Sequence, residues 1–391
     1  MIQEEGLAAV ALPLMWVFTY KCDSDSYLIK YKARIVVRGD LQPPNQLETY
    51  AATLAARTFR FLMALVVLFD LETAQFDAVN AFVNSELDET IYCQHPPGFE
   101  APGYYLLLRR ALYGLRRSPL LWWKLLIKVL AQLGLMQLAG DESCLFGNQY
   151  LIVFFYVDDI VVLYHKQYTR QYDNFKQQLL TQFEIKDLGE LKWFLNIRIL
   201  RNRANKQLWL CQDAYIDKIS TSFNIIKHAG RYPAMPLPSE ALVASSEQAT
   251  KQLIHSYQRK IGSILYAAII TRPDIAFAAS QLSQYLQNPS DQHHKAADHV
   301  LAYLYGTKTL SLEFNGQGNT HLRCSSDASY GDAPGRRSSE GYLLQLAQGP
   351  VDWKANKQHV VTTSTTEAEL IALSRARKEL LFWKRIIAGV R

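Results

Sequence analysis

Leu151-Ile152-Val153-Phe154-Phe155-Tyr156-Val157-Asp158-Asp159-Ile160-Val161-Val162-Leu163 sets two adjacent carboxylates between two apolar, β-branched and aromatic runs of strand length. Buried acid is costly unless a cation compensates it. The runs predict two buried strands with the acid pair at the turn between them. Such a hairpin suits a metal platform, and an ordinary Asp-Asp turn would read the same way.

The two readings are separated by what lies upstream. Magnesium prefers oxygen ligands in octahedral geometry, so a site for two ions needs carboxylates from more than one strand. Gln75-Phe76-Asp77-Ala78-Val79-Asn80-Ala81-Phe82 supplies a third aspartate at the end of a predicted strand, although Asp77 could also cap a following helix.

The 391-residue chain is 49% hydrophobic, long enough for two or three domains with real cores, and carries a net charge of +6. Ala101 to Gly140 holds Arg109, Arg110, Arg116, Arg117, Lys124 and Lys128 and no acid. Leu191 to Gln212 holds Lys192, Arg198, Arg201, Arg203 and Lys206, again without acid. Trp122, Trp123, Trp193 and Trp209 are interleaved with them, a pattern suited to a nucleic-acid backbone and also to solvated helix faces. Cys22, Cys93, Cys144, Cys211 and Cys324 form no CxxC pair, so neither a zinc site nor a disulfide framework is expected. Pro13 interrupts the first apolar stretch, and no run of about 20 apolar residues marks a membrane span. An intracellular location is expected.

Met1 to about Ser26 has no clear pattern, whereas Tyr27–Arg38 alternates as a strand or hairpin. Thr53–Phe69 reads as a helix and Ala74–Val79 as a strand. Ser118 as N-cap and Pro119 at the first helical position open a helix that Gly134 ends. A further helix is expected over Tyr172–Phe183, and Asp213 caps another that ends near Asn224. Prolines 233, 236 and 238 mark a linker. Three helical patterns follow (Tyr257–Ile270, Pro273–Leu286, Asp291–Tyr305), then short strands from about Ser311 and a last helix from Thr365. His293, His294 and His299 lack helical metal-ligand spacing and are expected to be surface or interhelical residues.

The motifs together resemble the reverse transcriptase of copia-type LTR retrotransposons. They are Tyr31-Lys32-Ala33-Arg34-Ile35-Val36-Val37-Arg38-Gly39, Phe76-Asp77 through Phe82, Gln94-His95-Pro96-Pro97-Gly98-Phe99, Ala111-Leu112-Tyr113-Gly114-Leu115, Tyr156-Val157-Asp158-Asp159, Lys186-Asp187-Leu188-Gly189-Glu190-Leu191-Lys192 and Thr271-Arg272-Pro273-Asp274-Ile275-Ala276. Order and spacing match over roughly Tyr27 to Trp383.

The resemblance implies an α+β right-hand polymerase of fingers, palm and thumb, followed by a helical connector and a truncated RNase H-like α/β unit. The expected boundaries are 1–26 unassigned, 27–227 fingers, palm and thumb, 228–310 linker and connector, and 311–391 the RNase H-like part. It also implies an RNA-directed DNA polymerase working with an RNA template, a DNA primer and dNTPs, in a cytoplasmic particle or the nucleus. Asp77, Asp158 and Asp159 would hold two Mg²⁺ ions, with Mn²⁺ as an alternative. Lys32 and Arg34 would grip the triphosphate, and Phe82 would exclude a 2′-hydroxyl. Arg109, Arg110, Arg116 and Lys124 would meet nucleic acid. Arg117 stands where the family has the Gln that seats the nucleotide; it could bind phosphate, or mark a nucleic-acid-binding remnant without turnover.

In the C-terminal part the resemblance points to Asp327 and Glu369 as RNase H metal ligands. Ser364 and Glu367 have capping-box spacing, which gives Glu367 a structural job. The family's next carboxylate motif does not occur before Arg391, so this unit is expected to be incomplete and inactive. Asp332 and Asp352 read as turn residues.

Overall fold

The computed structural model describes residues 11–22, 27–43, 47–138, 144–225, 232–238, 240–318, 320–333 and 335–390. Parts of the expected N-terminal segment (1–10, 23–26) and of the linker (228–231, 239) lie outside them. The fold is mixed α/β. The chain forms two compact units, one of residues 1–54 and 74–189, the other of residues 55–73 and 190–391.

The first unit is built on a six-stranded sheet, in the order Ile185–Gly189, Glu72–Ala78, Asp159–Tyr164, Leu151–Tyr156, Leu145–Gly147, Met136–Gln137. Its centre is the expected hairpin, paired from Leu151↔Tyr164 to Tyr156↔Asp159. Val153, Phe154 and Phe155 on one strand and Ile160 to Leu163 on the other are fully buried, which explains runs without polar alternation. The helix Ser118–Gln132 buries Leu120, Trp122, Leu126, Val129 and Leu130. Gly134, at φ 79°, follows it as expected. Ser118 is its first helical residue rather than its cap, since the hydroxyl donates to Leu112 O at 2.7 Å.

A separate hairpin joins Leu14–Cys22 to Leu28–Val37. The first of these strands lies in the stretch where the sequence shows no pattern. Its inner end, with Leu12, Val37, Ile91, Cys93 and Leu115, forms a small core.

In the second unit, the strands Trp193–Phe194, Ile197–Asn202, Gln207–Cys211 and Leu312–Asn315 make one sheet. The 312–315 strand thus pairs with the 207–211 strand rather than with the strands that follow it. The helices Asp213–Ser222, Lys251–Ile270, Ala276–Ser283 and Asp291–Gly306 share a core around Tyr257, Ile261, Ile264, Leu282 and Leu301. His293 is buried there, with Nδ1 accepting from Ser290 N at 2.8 Å and its ring stacked on Tyr285. His294 and His299 each bond to a backbone carbonyl.

Arg323–Ala333, Arg337–Leu346 and Gly349–Lys357 form an antiparallel meander covered by the helix Thr365–Val390. The helix Ala56–Leu68 belongs to this unit. Phe61 meets Trp383 at 4.8 Å between ring centroids, and Arg60 stacks 3.9 Å over Trp353 while donating to Val351 O and Ile269 O. Among the described residues no helix is long and apolar enough to cross a membrane.

Candidate active site

The three upstream and hairpin aspartates meet because Glu72–Ala78 lies beside Asp159–Tyr164 in the sheet. Asp77 is the penultimate residue of its strand, and the next amide, Ala78 N–H, donates to Asp158 O at 2.9 Å. The carboxylates of Asp77, Asp158 and Asp159 are all half-buried. Burial, then the nearby Asp77, pushes the Asp158 carboxyl above the ordinary range, against the opposing pull of Arg34 and Lys32. Burial and Asp158 do the same to Asp159, which accepts from Gln75 Nε2 at 3.2 Å. The site therefore gathers negative charge at a cost that a cation would relieve.

Its donors are hard carboxylate oxygens, which suit Mg²⁺ or Mn²⁺. Among the described residues no group of three or more His, Cys, Asp or Glu side chains is placed to hold a metal ion by itself. Magnesium in phosphoryl-transfer sites commonly takes one or two carboxylates together with substrate phosphates, so the open arrangement fits that use.

Around the carboxylates stand the residues expected to receive a nucleotide. After Asn80, at φ 50°, the chain turns through Ala81–Asn84, with Asn84 Nδ2 donating to Ala81 O at 3.2 Å. This turn sets the buried Phe82 ring against Tyr113, 4.4 Å between centroids. The Arg34 guanidinium lies 5.7 Å from the centre of the same Tyr113 ring. Tyr113 was not among the expected site residues; the Ala-Leu-Tyr-Gly-Leu motif was its only signal.

Arg117 is a different matter. It is 5% exposed, and its guanidinium forks onto both oxygens of Asp88 and donates to Glu48 O. It braces the start of the Ser118–Gln132 helix, and meeting a phosphate would require that fork to open. Asp88 lies between two motifs and belongs to neither, 29 residues before Arg117, so nothing in the sequence announces the partner. Arg109, Arg110, Arg116 and Lys124 are exposed. Arg110 lies 3.5 Å from Glu86, Lys124 3.9 Å from Glu48, and Arg116 Nε donates to Gly39 O at 3.1 Å. At such exposure these pairings are weak and leave the cations available to another anion.

In the second unit, Asp327 lies on the Arg323–Ala333 strand, and Glu369 Oε1 accepts from the adjacent Ala328 N–H at 3.3 Å. Strand and helix thus place Glu369 against the backbone next to Asp327. Glu367 instead accepts from Thr363 N and Oγ1, and its own amide donates to Ser364 Oγ at 3.1 Å. Asp332 lies not in the turn but at the irregular end of the Arg323–Ala333 strand, where it accepts from Ser339 N. Asp352 does not fit the turn reading either. It is buried within the Gly349–Lys357 strand, 3.6 Å from Arg57 and bonded by Trp383 Nε1 at 3.4 Å.

A model of the family "Reverse transcriptase (RNA-dependent DNA polymerase)" matches residues 6–236. The retrovirus-related Pol polyprotein from transposon TNT 1-94 of Nicotiana tabacum is 32% identical, over 96% of this chain and 29% of that protein. That from transposon RE1 of Arabidopsis thaliana is also 32% identical, over 93% of this chain and 25% of that protein. A putative transposon Ty5-1 protein of Saccharomyces cerevisiae is 33% identical, over 78% of this chain and 100% of that protein. The chain spans less than a third of the length of the two plant polyproteins. With more than half its length matched by the family model and these relatives aligned through both units, the chain belongs to the reverse transcriptase family, in its copia-type retrotransposon branch.

Proposed function

We propose that this chain is an RNA-directed DNA polymerase that adds dNTPs to a primer 3′-hydroxyl on an RNA template, at Asp77, Asp158 and Asp159. The single observation that supports it most is the convergence of these three acids at one end of one sheet, fastened by the Ala78 N–H to Asp158 carbonyl bond. In this reading the six-stranded sheet is the palm, the hairpin of Leu14–Cys22 and Leu28–Val37 the fingers, and the helices beyond Asp213 the thumb and connector. Two Mg²⁺ ions held by the three carboxylates would activate the attacking hydroxyl and stabilise the leaving oxygen. The chain's own contribution is positioning and charge: Lys32 and Arg34 bind the triphosphate, and Phe82, braced by Tyr113, underlies the sugar. Asp327 and Glu369 would be the first two carboxylates of an RNase H-like site.

The test is primer extension on an RNA template with Mg²⁺ and dNTPs, beside an Asp158→Asn control. Template-dependent product above that control is expected. A folded, RNA-binding sample that gives none would leave a nucleic-acid binder without turnover, the reading that the closed Arg117 fork favours.

Phe82 carries a second expectation. Its ring is nearly fully buried against Tyr113, so shortening it opens space without moving the strand. Phe82→Val should relax discrimination against rNTPs by up to about 100-fold, the scale on which an apolar pocket rejects an added hydroxyl. Ratios of kcat/KM for dNTP and rNTP measure it, and an unchanged ratio would remove Phe82 from the sugar site.

A further inference from the structure

The turn that aims Asp158 is strained, and one side chain holds it. Tyr156 pairs with Asp159, so Val157 and Asp158 form a two-residue hairpin loop. Val157 has φ 57° and Asp158 is not among the residues of positive φ, the pattern of a turn whose first central position ordinarily takes glycine. A β-branched residue in the left-handed region is an outlier that persists only where its surroundings impose it. Here the imposed contact is visible. Trp122 Nε1 donates to Val157 O at 2.6 Å. Trp122 is 1% exposed, and its ring packs edge-on against Phe183, 5.1 Å between centroids. The indole N–H is the only donor the side chain has, and it is directed at the peptide whose orientation sets the start of Asp158.

We propose that Trp122 is a positioning residue for the polymerase site: its N–H pins the Val157 carbonyl and thereby holds the strained turn that presents Asp158 beside Asp77. The Ala78 N–H bond to Asp158 O is then a reporter of the pinned state. The kinetic arm of the test rests on the polymerase reading; the hydrogen-exchange arm does not.

In the full chain, Trp122→Phe keeps an aromatic ring and removes the donor. Exchange of the Ala78 amide should accelerate roughly tenfold or more. The kcat of extension should fall by a similar factor with KM for dNTP unchanged. Adding Val157→Gly, which removes the steric objection to the left-handed turn, should restore both. If Trp122→Phe does not fold, β-(3-benzothienyl)alanine at position 122 keeps the shape of indole and lacks the N–H, and the same readouts apply. Unchanged Ala78 exchange without the donor would overturn the proposal. So would a defect that Val157→Gly fails to rescue, since that is what loss of packing alone produces. A wild-type chain that does not extend primers, yet shows the exchange effect and its rescue, would sink the polymerase reading and leave the positioning role standing.

Discussion

Asp158→Asn should abolish nucleotide addition and, in metal-free buffer, raise the melting temperature of the chain. The two effects have one cause. Burial and the neighbouring Asp77 raise the Asp158 carboxyl, and burial with Asp158 and Asp77 raises Asp159, so without the proposed cation the two charges are a liability to the fold. Asparagine keeps the shape, removes the charge beside Asp77 and Asp159, and in the proposed site removes a metal ligand. Charge stabilisation by a bound metal is worth several kcal/mol and about 1.4 kcal/mol is a factor of ten, so extension should fall on the order of 10³-fold or more.

The stability effect has a defined pH dependence. A carboxyl whose folded pKa is raised binds more protons folded than unfolded, so wild-type stability declines as pH rises from the ordinary carboxylate range through the raised folded value. The melting-temperature advantage of Asp158→Asn should therefore be small near pH 4, grow through that window and stay level at neutral pH. Saturating Mg²⁺ should shrink it. A variant less stable than wild type at neutral pH without metal would show that Asp158 does structural work rather than waiting for a cation.

Why this site was legible in the sequence, and other parts were not, follows from the range of the interactions. The Asp158-Asp159 hairpin is local: a buried strand, a two-residue turn and a second buried strand are written consecutively. Glu367 was legible for the same reason, its partners Thr363 and Ser364 being within one turn. The Leu14–Cys22 strand was not. It alternates only when its partner is known, and Trp16 is held through its indole N–H to Pro97 O. The helix Ala56–Leu68 reads correctly as a helix, but its membership of the C-terminal unit depends on Phe61 meeting Trp383 and Arg57 pairing with Glu379. Nothing local encodes such pairings. Arg117 shows the limit most sharply: its residue type invites a phosphate, and a distant aspartate already occupies it. Asp352 lies between Pro350 and Asn356 and so reads as a turn, whereas the Arg57 cation makes it a viable buried strand residue.

Gly39→Ala should destabilise the first unit by roughly 3 kcal/mol or more, since overpacking backbone against backbone leaves no side chain free to yield. The glycine is buried in a short 3-10 turn, Gly39–Leu41, just beyond the Leu28–Val37 strand, where the chain crosses the Tyr113-Gly114 turn. A Cβ there would stand 1.8 Å from Gly114 O, and one on Gly114, at φ 98°, would stand 2.0 Å from Val37 O. The crossing cannot simply open, because Val37 N–H donates to Tyr113 O at 2.8 Å and Arg116 Nε to Gly39 O at 3.1 Å. Separating the two segments to admit a methyl group sacrifices those bonds, each worth about 1 kcal/mol. Gly103→Ala is the control. Gly103 has φ 79° and nothing within 4 Å of the added Cβ, so it meets only the conformational penalty of about 1 kcal/mol. Urea unfolding of both variants separates contact from conformation. Equal losses would show that the crossing yields cheaply. The functional consequence is carried by Tyr113, whose carbonyl makes the crossing bond and whose ring supports Phe82 and lies beneath Arg34. A Gly39→Ala chain that still folds should therefore extend primers with a raised KM for dNTP, because the same two glycines that let the segments cross also fix the ring on which the residues proposed to face the nucleotide rest.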